Sequence, residues 1–271
     1  MILETAGISF SYGSHRVLAD VNLQLKPGMT AIIGPNAAGK STLLKCLSGL
    51  LRPEGEVRLD GIALSSLKHE KLTREVSFLP QDFITTAVLT VYEAVLLGRV
   101  HQLGWRVSDD DNRIVNQLLN EMQLSDVADR FLNELSGGQR QLVAIAQSLA
   151  REPAVLLLDE PTSNLDLRRQ YEVCTLIRRL TDSRGISTAL AVHDLNLAAR
   201  YADWVYVIQD GKMCCAGEPK NVLTESLIAD VYGVETLVTY SQEERPVITV
   251  LGLATTESAE SESGQGAGND V

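Results

Sequence analysis

The stretch Gly34-Pro35-Asn36-Ala37-Ala38-Gly39-Lys40-Ser41 fits the pattern G-x-x-x-x-G-K-[ST] of a phosphate-binding loop. It follows a short apolar run, Thr30–Ile33, and opens a predicted helix from about Lys40 to Leu50. Backbone N–H groups of such a loop and the N-terminus of the following helix attract phosphate oxygens. The lysine adds a full positive charge, and the serine hydroxyl is an oxygen ligand of the kind that Mg²⁺ prefers. The stretch therefore predicts a nucleoside triphosphate site that includes Mg²⁺.

One position of the loop is unusual, because Ala37 stands where such loops often carry glycine. If the backbone there has a positive φ, the alanine Cβ costs about 1 kcal/mol. The other anchors of the loop are intact, so the prediction does not depend on this position. The candidate phosphate contacts of the segment are Gly34, Pro35, Asn36, Ala37, Ala38, Gly39, Lys40, Ser41 and Thr42.

A second candidate element is an apolar run that ends in two acids, Asp159 and Glu160. In open α/β sheets, ligands bind at the carboxyl ends of the strands, where these side chains are expected. Asp159 is predicted to hold Mg²⁺ directly or through water, and Glu160 to act as a general base on the attacking water. The alternative is a strand that ends in two solvated acids, and the phosphate loop on the same chain favours the catalytic interpretation.

The distribution of apolar runs predicts an α/β fold. Three runs are typical of strands buried on both faces of a parallel sheet: Thr30–Ile33, Ala154–Leu158 and Ser187–Val192. Each is followed by a helical stretch. The N-terminal part instead predicts antiparallel strands at Ile2–Phe10, Val17–Leu25, Gly55–Leu59 and Val76–Leu79. Residues 83–152 lack strand patterning and are predicted to form a helical lobe of their own.

Composition argues against two classes of protein. The chain has 271 residues, a formal net charge of −11 and no basic run, which argues against a nucleic-acid partner. No apolar run reaches the roughly 18 residues of a membrane span, and no basic segment typical of a signal peptide precedes Glu4. We therefore expect a cytosolic protein. The four cysteines lack metal-site spacing and are expected to be reduced thiols: Cys46, Cys174, Cys214 and Cys215.

The composition changes after about Tyr240. We assign residues 1–240 to one domain and residues 241–271 to a C-terminal extension. Glu257–Val271 consists mainly of Ser, Gly, Ala and acidic residues, so it cannot bury enough apolar surface to offset its ordering entropy. The extension is predicted to be disordered from about residue 255.

The pentapeptide Leu135-Ser136-Gly137-Gly138-Gln139 resembles the signature of ABC ATPases. Ser136 and Gln139 also form a capping box that opens an amphipathic helix, Gln139–Arg151, and both interpretations can hold. A capped helix with glycines at its start leaves bare N–H groups for a γ-phosphate. The resemblance implies that this phosphate belongs to ATP on a second copy of the chain. It therefore implies a homodimer with two ATP molecules between the subunits, and nucleotide contacts from Ser136, Gly137, Gly138 and Gln139.

Other motifs occur in the order expected of the family, and the likeness extends from residue 1 to about 240. Gln81 matches the glutamine that reaches Mg²⁺ and the attacking water, and His193 matches the histidine that contacts the γ-phosphate. Tyr12 matches the aromatic residue that stacks on adenine. Ser163-Asn164-Leu165-Asp166 resembles the D-loop, with Asp166 as a nucleotide-site residue and Asn164 where alanine is more usual. The resemblance implies a P-loop NTPase (RecA-like) core with an N-terminal antiparallel β subdomain and an inserted helical subdomain.

The arrangement of motifs is similar to that of a stand-alone transporter subunit. The chain carries one ATPase domain, only 96 residues separate Lys40 from Ser136, and no membrane helix is fused to it. The resemblance implies two integral membrane permease subunits, a peripheral location on the cytoplasmic face of the membrane, and an extracytoplasmic substrate-binding protein as an indirect partner. The helical lobe is expected to dock on the permeases, with Tyr92 and Arg99 as candidate surface positions.

Several sequence segments resemble the corresponding segments of the ATPases of iron–siderophore, haem and cobalamin importers. They are residues 89–99, 193–203, 222–224 and 231–234. This resemblance implies import of an iron chelate, with a ferric siderophore favoured. Two alternatives remain at this point. One is an accessory ATPase that drives assembly of a soluble complex, and the other is a regulatory ATP-binding module, against which Glu160 and His193 argue.

Overall fold

The computed structural model describes residues 1–81, 88–100, 106–163 and 165–254. Its strands are β1 (Leu3–Tyr12), β2 (His15–Val21), β3 (Gln24–Leu25), β4 (Gly28–Ile33), β5 (Glu54–Leu59), β6 (Ile62–Ala63), β7 (Val76–Leu79), β8 (Val155–Asp159), β9 (Ser187–Ala191), β10 (Trp204–Gln209), β11 (Lys212–Gly217), β12 (Val234–Tyr240) and β13 (Pro246–Leu253). Its α-helices are α1 (Lys40–Leu47), α2 (His69–Glu75), α3 (Val91–Leu97), α4 (Asp109–Glu121), α5 (Gly137–Leu149), α6 (Leu167–Arg184), α7 (Leu195–Tyr201), α8 (Pro219–Val222) and α9 (Glu225–Tyr232).

The central sheet has six strands in the order β11-β10-β4-β9-β8-β7. All neighbours are parallel except β10 and β11, which form an antiparallel pair at one edge. Every residue of β8 and β9 is buried, as expected for strands covered by layers on both faces. The α/β class predicted from the apolar runs is therefore confirmed.

The carboxyl ends of four parallel strands bring the predicted catalytic segments to one edge of this sheet. The phosphate loop follows β4, and Gln81 comes two residues after β7. Glu160 directly follows β8, and His193 comes two residues after β9. Parallel strands end at the same edge, so these four segments converge although they are far apart in the sequence.

A smaller sheet is built from the N-terminal strands in the order β2-β1-β5-β6, with β3 also paired to β1. The predicted strand Val17–Leu25 is divided into β2 and β3. The prediction that Val76–Leu79 belongs to this antiparallel group is wrong, because β7 pairs in parallel with β8 in the central sheet. A four-residue apolar run carries no signal for its pairing direction, which is decided by the strand that lies beside it.

The described residues between 88 and 152 contain α3, α4, α5 and two 3₁₀ turns, Ser125–Val127 and Leu132–Glu134. Their apolar side chains share one core with the sheet face formed by residues such as Met29 and Leu158. A second core lies between the N-terminal sheet, α1 and the opposite face of the central sheet. The helical region thus packs directly on the strands that carry the carboxyl-edge residues. Across the described ranges, no helix is both long and apolar enough to cross a bilayer.

Arg99 lies in the interior of the helical region, which corrects its assignment as a surface position. Its side chain is only 5% exposed, and its Nε atom donates to Asp111 Oδ1 at 2.5 Å. Its Nη1 atom donates to the carbonyl oxygen of Ala150 at 2.8 Å and to Glu152 at 3.2 Å. The guanidinium therefore joins the end of α3 to the start of α4 and the end of α5. Hydrogen bonds from Ser108 and Arg99 lower the pKa of the Asp111 carboxyl to about 2.

Arg99→Ala is expected to destabilise the fold by about 3 kcal/mol, because it leaves Asp111 buried without its cation. This loss of unfolding free energy is at the low end of the range for a buried ion pair, because a cleft beside the pair admits water and Glu152 is 56% exposed. Urea unfolding followed by circular dichroism measures the change. Arg113→Ala is the matched control, because it breaks an exposed pair with Asp110 on α4 and should change the free energy of unfolding by under about 1 kcal/mol. Equal losses of unfolding free energy in both variants would contradict the structural role of the Arg99–Asp111 pair.

The same ion pair predicts a pH dependence. The Asp111 pKa falls from its ordinary 3.8 to about 2 in the folded protein, so its contribution to stability is fully present above pH 4. That contribution is lost as the pH falls from about 4 to 2, where the folded carboxylate is protonated. In an acid titration, Arg99→Ala should therefore lose less stability than the wild type over this window.

The C-terminal strands β12 and β13 form a separate two-stranded antiparallel sheet. The domain boundary predicted at residue 240 falls at the end of β12, and β13 returns along it. Ala254 N–H closes the hairpin by donating to Gly233 O at 3.0 Å. The part of the extension predicted to be disordered, from residue 255, lies outside the described residues.

Candidate active site

The phosphate loop is held in its shape by backbone conformations that side chains rarely adopt. Gly34 has a φ of 149°, and a Cβ there would lie 2.0 Å from the carbonyl oxygen of Ile208. Gly39 has a φ of 104° and directly precedes α1. Ala37 has a φ of 62°, so this alanine occupies the left-handed region in which glycine is favoured. The loop therefore stores strain at a position where the sequence departs from glycine.

Ala37→Gly is expected to stabilise the phosphate loop by up to about 1 kcal/mol, because it removes the Cβ penalty at a positive φ. Glycine also raises the conformational entropy of the unfolded chain, which offsets part of this gain in stability. Ala38→Gly is the matched control, because Ala38 is buried, has no positive φ and should be destabilised by about 0.5–1 kcal/mol. Thermal melting of both variants measures the difference. If Ala37→Gly lost as much stability as Ala38→Gly, the inference that the backbone is strained at Ala37 would be wrong.

Lys40 lies inside the loop, with only 5% of its surface exposed. Its ammonium donates to the carbonyl oxygens of Gly34 at 2.7 Å and Pro35 at 2.9 Å. Burial lowers the pKa of Lys40, and the negative charges of Glu160 and Asp159 oppose that shift. The amine is thus positioned by the backbone of the loop and is electrostatically linked to both acids at the end of β8.

Ser41 and Asp159 form a direct link between the phosphate loop and the acidic strand, with Ser41 Oγ donating to Asp159 Oδ1 at 2.9 Å. Burial raises the pKa of Asp159, while the Ser41 hydrogen bond opposes the shift. The two oxygens suit Mg²⁺, a hard cation that prefers oxygen ligands. In the described ranges no group of three or more His, Cys, Asp or Glu side chains could hold a metal.

Glu160 is the centre of a second cluster. Its backbone N–H donates to Ala191 O at 3.1 Å, and its φ of 49° is left-handed. Gln81 Nε2 donates to one carboxylate oxygen at 2.8 Å, and His193 Nε2 contacts the other. The structure therefore brings together three predicted catalytic residues from three strand ends. Non-glycine residues in sparsely populated backbone regions often occur at functional sites, where the surrounding structure enforces them.

The signature residues form the start of α5. Gln139 N–H donates to Ser136 Oγ at 3.3 Å, and Ser136 N–H donates to Gln139 Oε1 at 3.1 Å, which is the predicted capping box. Ser136 and Gly137 are exposed. Among the hydrogen bonds of the described residues, none connects this segment to the phosphate loop. The glycine-rich helix start is thus open to solvent and separate from the cluster around Glu160.

Two other predicted nucleotide residues also lie outside that cluster. Asp166 is exposed and caps α6, accepting from Arg169 N–H at 2.9 Å. Tyr12 lies at the end of β1 and is 50% exposed. Phe10 supports it edge-on, with ring centroids 4.9 Å apart. A half-exposed ring held by a second aromatic residue is free to offer one face to a planar ligand. Asn164 lies outside the described residues.

Tyr232, at the end of α9, is a neighbour of the phosphate loop that the sequence analysis did not identify. Its hydroxyl is buried and makes no hydrogen bond to the described residues. Burial raises the pKa of this hydroxyl, and the nearby N–H of Gly34 opposes that shift. The two residues are about 200 positions apart in the sequence, so no local pattern could reveal their contact. The end of α9 thus lies near the first residue of the loop.

A family model described as ABC transporter matches residues 18–163 of this chain, more than half of its length. The chain belongs to the ABC transporter family. An uncharacterised ABC transporter ATP-binding protein of Methanocaldococcus jannaschii is 40% identical over 256 residues, which cover 93% of this chain and 99% of that relative. The resemblance drawn from the motifs is therefore confirmed. This ABC transporter subunit is an ATPase.

Two further relatives have names that specify a cargo. A petrobactin import ATP-binding protein of Bacillus anthracis is 38% identical, with 86% of this chain and 87% of the relative covered. The ferric enterobactin transport ATP-binding protein of Escherichia coli is 37% identical, with 85% of this chain and 87% of the relative covered.

Solved ABC structures agree with the fold of this subunit. A metal-chelate type ABC transporter in an inward-facing conformation has a TM-score of 0.79 at 28% identity, and the match covers 93% of this chain and 96% of that chain. A dimeric ABC transporter cassette has a TM-score of 0.71 at 30% identity, with 81% and 99% covered. ABC cassettes thus occur as dimers in solved structures.

Proposed function

We propose that this ABC ATPase hydrolyses ATP with Mg²⁺ to drive uptake of an iron chelate, with a ferric siderophore as the cargo. The observation that carries the hydrolytic part is the contact of Glu160 with both Gln81 and His193, beside the Ser41–Asp159 pair. The cargo is supported by the relatives named for petrobactin, iron(3+)-hydroxamate and ferric enterobactin import. Haem and cobalamin are the competing cargoes, and a cobalamin import relative from Halobacterium salinarum is 35% identical.

The proposed reaction begins with the phosphates of ATP bound by the loop N–H groups and Lys40. Ser41 and Asp159 would hold Mg²⁺, with Gln81 as a further oxygen ligand, and the ion would neutralise charge that develops on the phosphates. Glu160 accepts a proton from the attacking water, and Gln81 and His193 hold its two carboxylate oxygens in place. Tyr12 stacks on the adenine.

The proposed assembly is a homodimer on the cytoplasmic face of the membrane. Ser136 and the N–H groups of Gly137 and Gly138 would contact the γ-phosphate of ATP bound to the other copy, and Asp166 would lie close by. Ser136, Gly137 and Asp166 are exposed, and none of the hydrogen bonds found among the described residues links them to the chain's own phosphate loop, which supports this arrangement. Two integral membrane permease subunits would dock on the helical region, with an extracytoplasmic binding protein delivering the cargo. Tyr92 Oη bonds to Asn112, so Tyr92 helps to pack this region.

The cargo is tested by growing a deletion strain under iron limitation with one iron source at a time. Loss of growth on a ferric siderophore, restored by the wild-type chain and not by Glu160→Gln, is the expected result. Loss restricted to haem, or to cobalamin-dependent growth, would assign the competing cargo. If uptake of all three is unchanged and no second system compensates, the transport proposal is wrong.

A separate experiment addresses the assembly of a soluble complex, for which the relatives named above give no support. The tagged chain is purified from membranes solubilised in mild detergent. Recovery of integral membrane proteins in stoichiometric amount is expected for a transporter subunit. Recovery of soluble proteins alone would favour the accessory role.

A further inference from the structure

Tyr232 is the last residue of α9, and its backbone is held firmly at that position. The side chain of Thr224 caps the start of the helix, and Gly233 ends it with a φ of 67°. Ile228 and Val231 are buried in the core that the central sheet shares with the helical region. The end of α9 is therefore a well-anchored part of the domain.

The end of α9 meets the phosphate loop at Gly34. Gln209 Nε2 donates to Asp230 O at 3.5 Å, which joins the end of β10 to α9. The preceding residue of β10, Ile208, has its carbonyl oxygen 2.0 Å from the place where a Cβ on Gly34 would lie. The N–H of Gly34 lies near the Tyr232 hydroxyl. The first residue of the loop is therefore in close contact with β10 and adjoins the end of α9.

The Tyr232 hydroxyl is buried without a hydrogen bond. Within the described part of the chain, the only other buried side-chain polar atom in this state is Thr236 Oγ1. An unpaired buried polar group is unfavourable, and native proteins contain few of them. The thiol of Cys214 also lies near this hydroxyl, but it already donates to Val207 O at 3.3 Å. The N–H of Gly34 is therefore the donor that the surroundings offer to the hydroxyl oxygen.

Gly34 also connects this hydroxyl to Lys40. The carbonyl oxygen of Gly34 accepts from the Lys40 ammonium at 2.7 Å, and the N–H of the same glycine lies near Tyr232. In the proposed reaction the ammonium also binds the phosphates, which changes the hydrogen bonding of the Gly34 carbonyl. Glycine lacks a Cβ, so the backbone at Gly34 can adjust its dihedral angles. Hydrogen bonds at active sites are often poorly aligned without substrate and tighten in the complex.

We propose that Tyr232 is a positioning residue for nucleotide binding, and that its hydroxyl accepts a hydrogen bond from Gly34 N–H when phosphate occupies the loop. The inference rests on the ATP site of the proposed function. It gives a physical role to residues 231–234, which the sequence analysis identified only by resemblance. Because the hydroxyl is unpaired in the empty loop and paired in the filled one, the new hydrogen bond favours the nucleotide-bound state.

The test measures ADP affinity by isothermal titration calorimetry with Mg²⁺, because ADP fills the phosphate loop and is not hydrolysed. Tyr232→Phe keeps the ring and removes only the hydroxyl. It should raise the ADP dissociation constant about threefold to tenfold. The melting temperature of the nucleotide-free chain should be unchanged or higher, since no hydrogen bond is lost there. In ATPase assays the KM should rise while kcat stays within about twofold of the wild type.

Two other tyrosines supply matched controls. Tyr206→Phe removes a hydroxyl that donates to Gln24 O at 3.1 Å and accepts from Gln24 N–H at 2.9 Å. It should lower the melting temperature and leave the ADP dissociation constant unchanged. Tyr240→Phe alters a residue that is 59% exposed and should change neither quantity. The opposite results expected for Tyr232→Phe and Tyr206→Phe separate a positioning role from a structural one.

The outcomes also separate this inference from the proposed function. An unchanged ADP dissociation constant in Tyr232→Phe would overturn the role of Tyr232, whether or not the melting temperature falls. Lys40→Ala should weaken ADP binding more strongly than Tyr232→Phe does. If Lys40→Ala binds ADP as tightly as the wild type, the ATP site and the role of Tyr232 are both wrong. If Lys40→Ala weakens binding and Tyr232→Phe does not, only the role of Tyr232 is wrong.

Discussion

Glu160→Gln is expected to lower ATP turnover by about 10²–10⁴-fold while ATP still binds. The amide has nearly the same shape as the carboxylate, but it cannot accept the proton of the attacking water. The fold should not change, because the backbone at Glu160 is held by the hydrogen bond to Ala191 and glutamine can adopt the same left-handed conformation. Single-turnover hydrolysis measures the chemical step, and equilibrium binding of a fluorescent ATP analogue measures the affinity.

The structure supplies a matched control and a contrary outcome. Glu54→Gln removes a carboxylate that is 85% exposed on the N-terminal sheet, and turnover should remain within a factor of two. His193→Ala should lower turnover without abolishing ATP binding, since it removes one of the two groups that hold the Glu160 carboxylate. A turnover of Glu160→Gln within threefold of wild type would show that another group activates the water.

Lys40→Ala is expected to lower turnover by at least about 10²-fold and, unlike Glu160→Gln, to weaken ATP binding as well. The ammonium is buried in the loop, where a charge aimed at phosphate oxygens is worth several kcal/mol. Its removal also leaves the carbonyl oxygens of Gly34 and Pro35 without the ammonium that donates to them. Steady-state ATPase assays and the same binding titration measure the two effects.

Lys71→Ala is the control for this loss of positive charge, because Lys71 is an exposed lysine on α2 and should be neutral. Lys40→Arg should recover little activity, since the larger guanidinium does not fit a side chain position that is 5% exposed and bonded to two carbonyls. Full activity of Lys40→Ala would contradict the assignment of the loop as the ATP site.

The sequence by itself determined the features that depend only on residues close to one another along the chain. The phosphate loop could be predicted because its glycines, its lysine and the helix start form one contiguous unit. The capping box of Ser136 and Gln139 could be predicted because both hydrogen bonds join residues three apart. The buried strands ending at Ile33 and Asp159 could be predicted because a short, continuous apolar run is typical of a strand that is covered on both faces of a sheet.

Only the tertiary structure decided which distant segments meet. Gln81, Glu160 and His193 could be recognised by family resemblance, but their contacts span 79 and 33 positions and depend on strands β7, β8 and β9 ending at one edge. The direction of β7, the burial of Arg99 and the approach of Tyr232 to Gly34 could likewise not be predicted from the sequence. Local conformational preferences extend over a turn or two of chain, whereas strand order and burial follow from the packing of the whole domain, which no short pattern encodes.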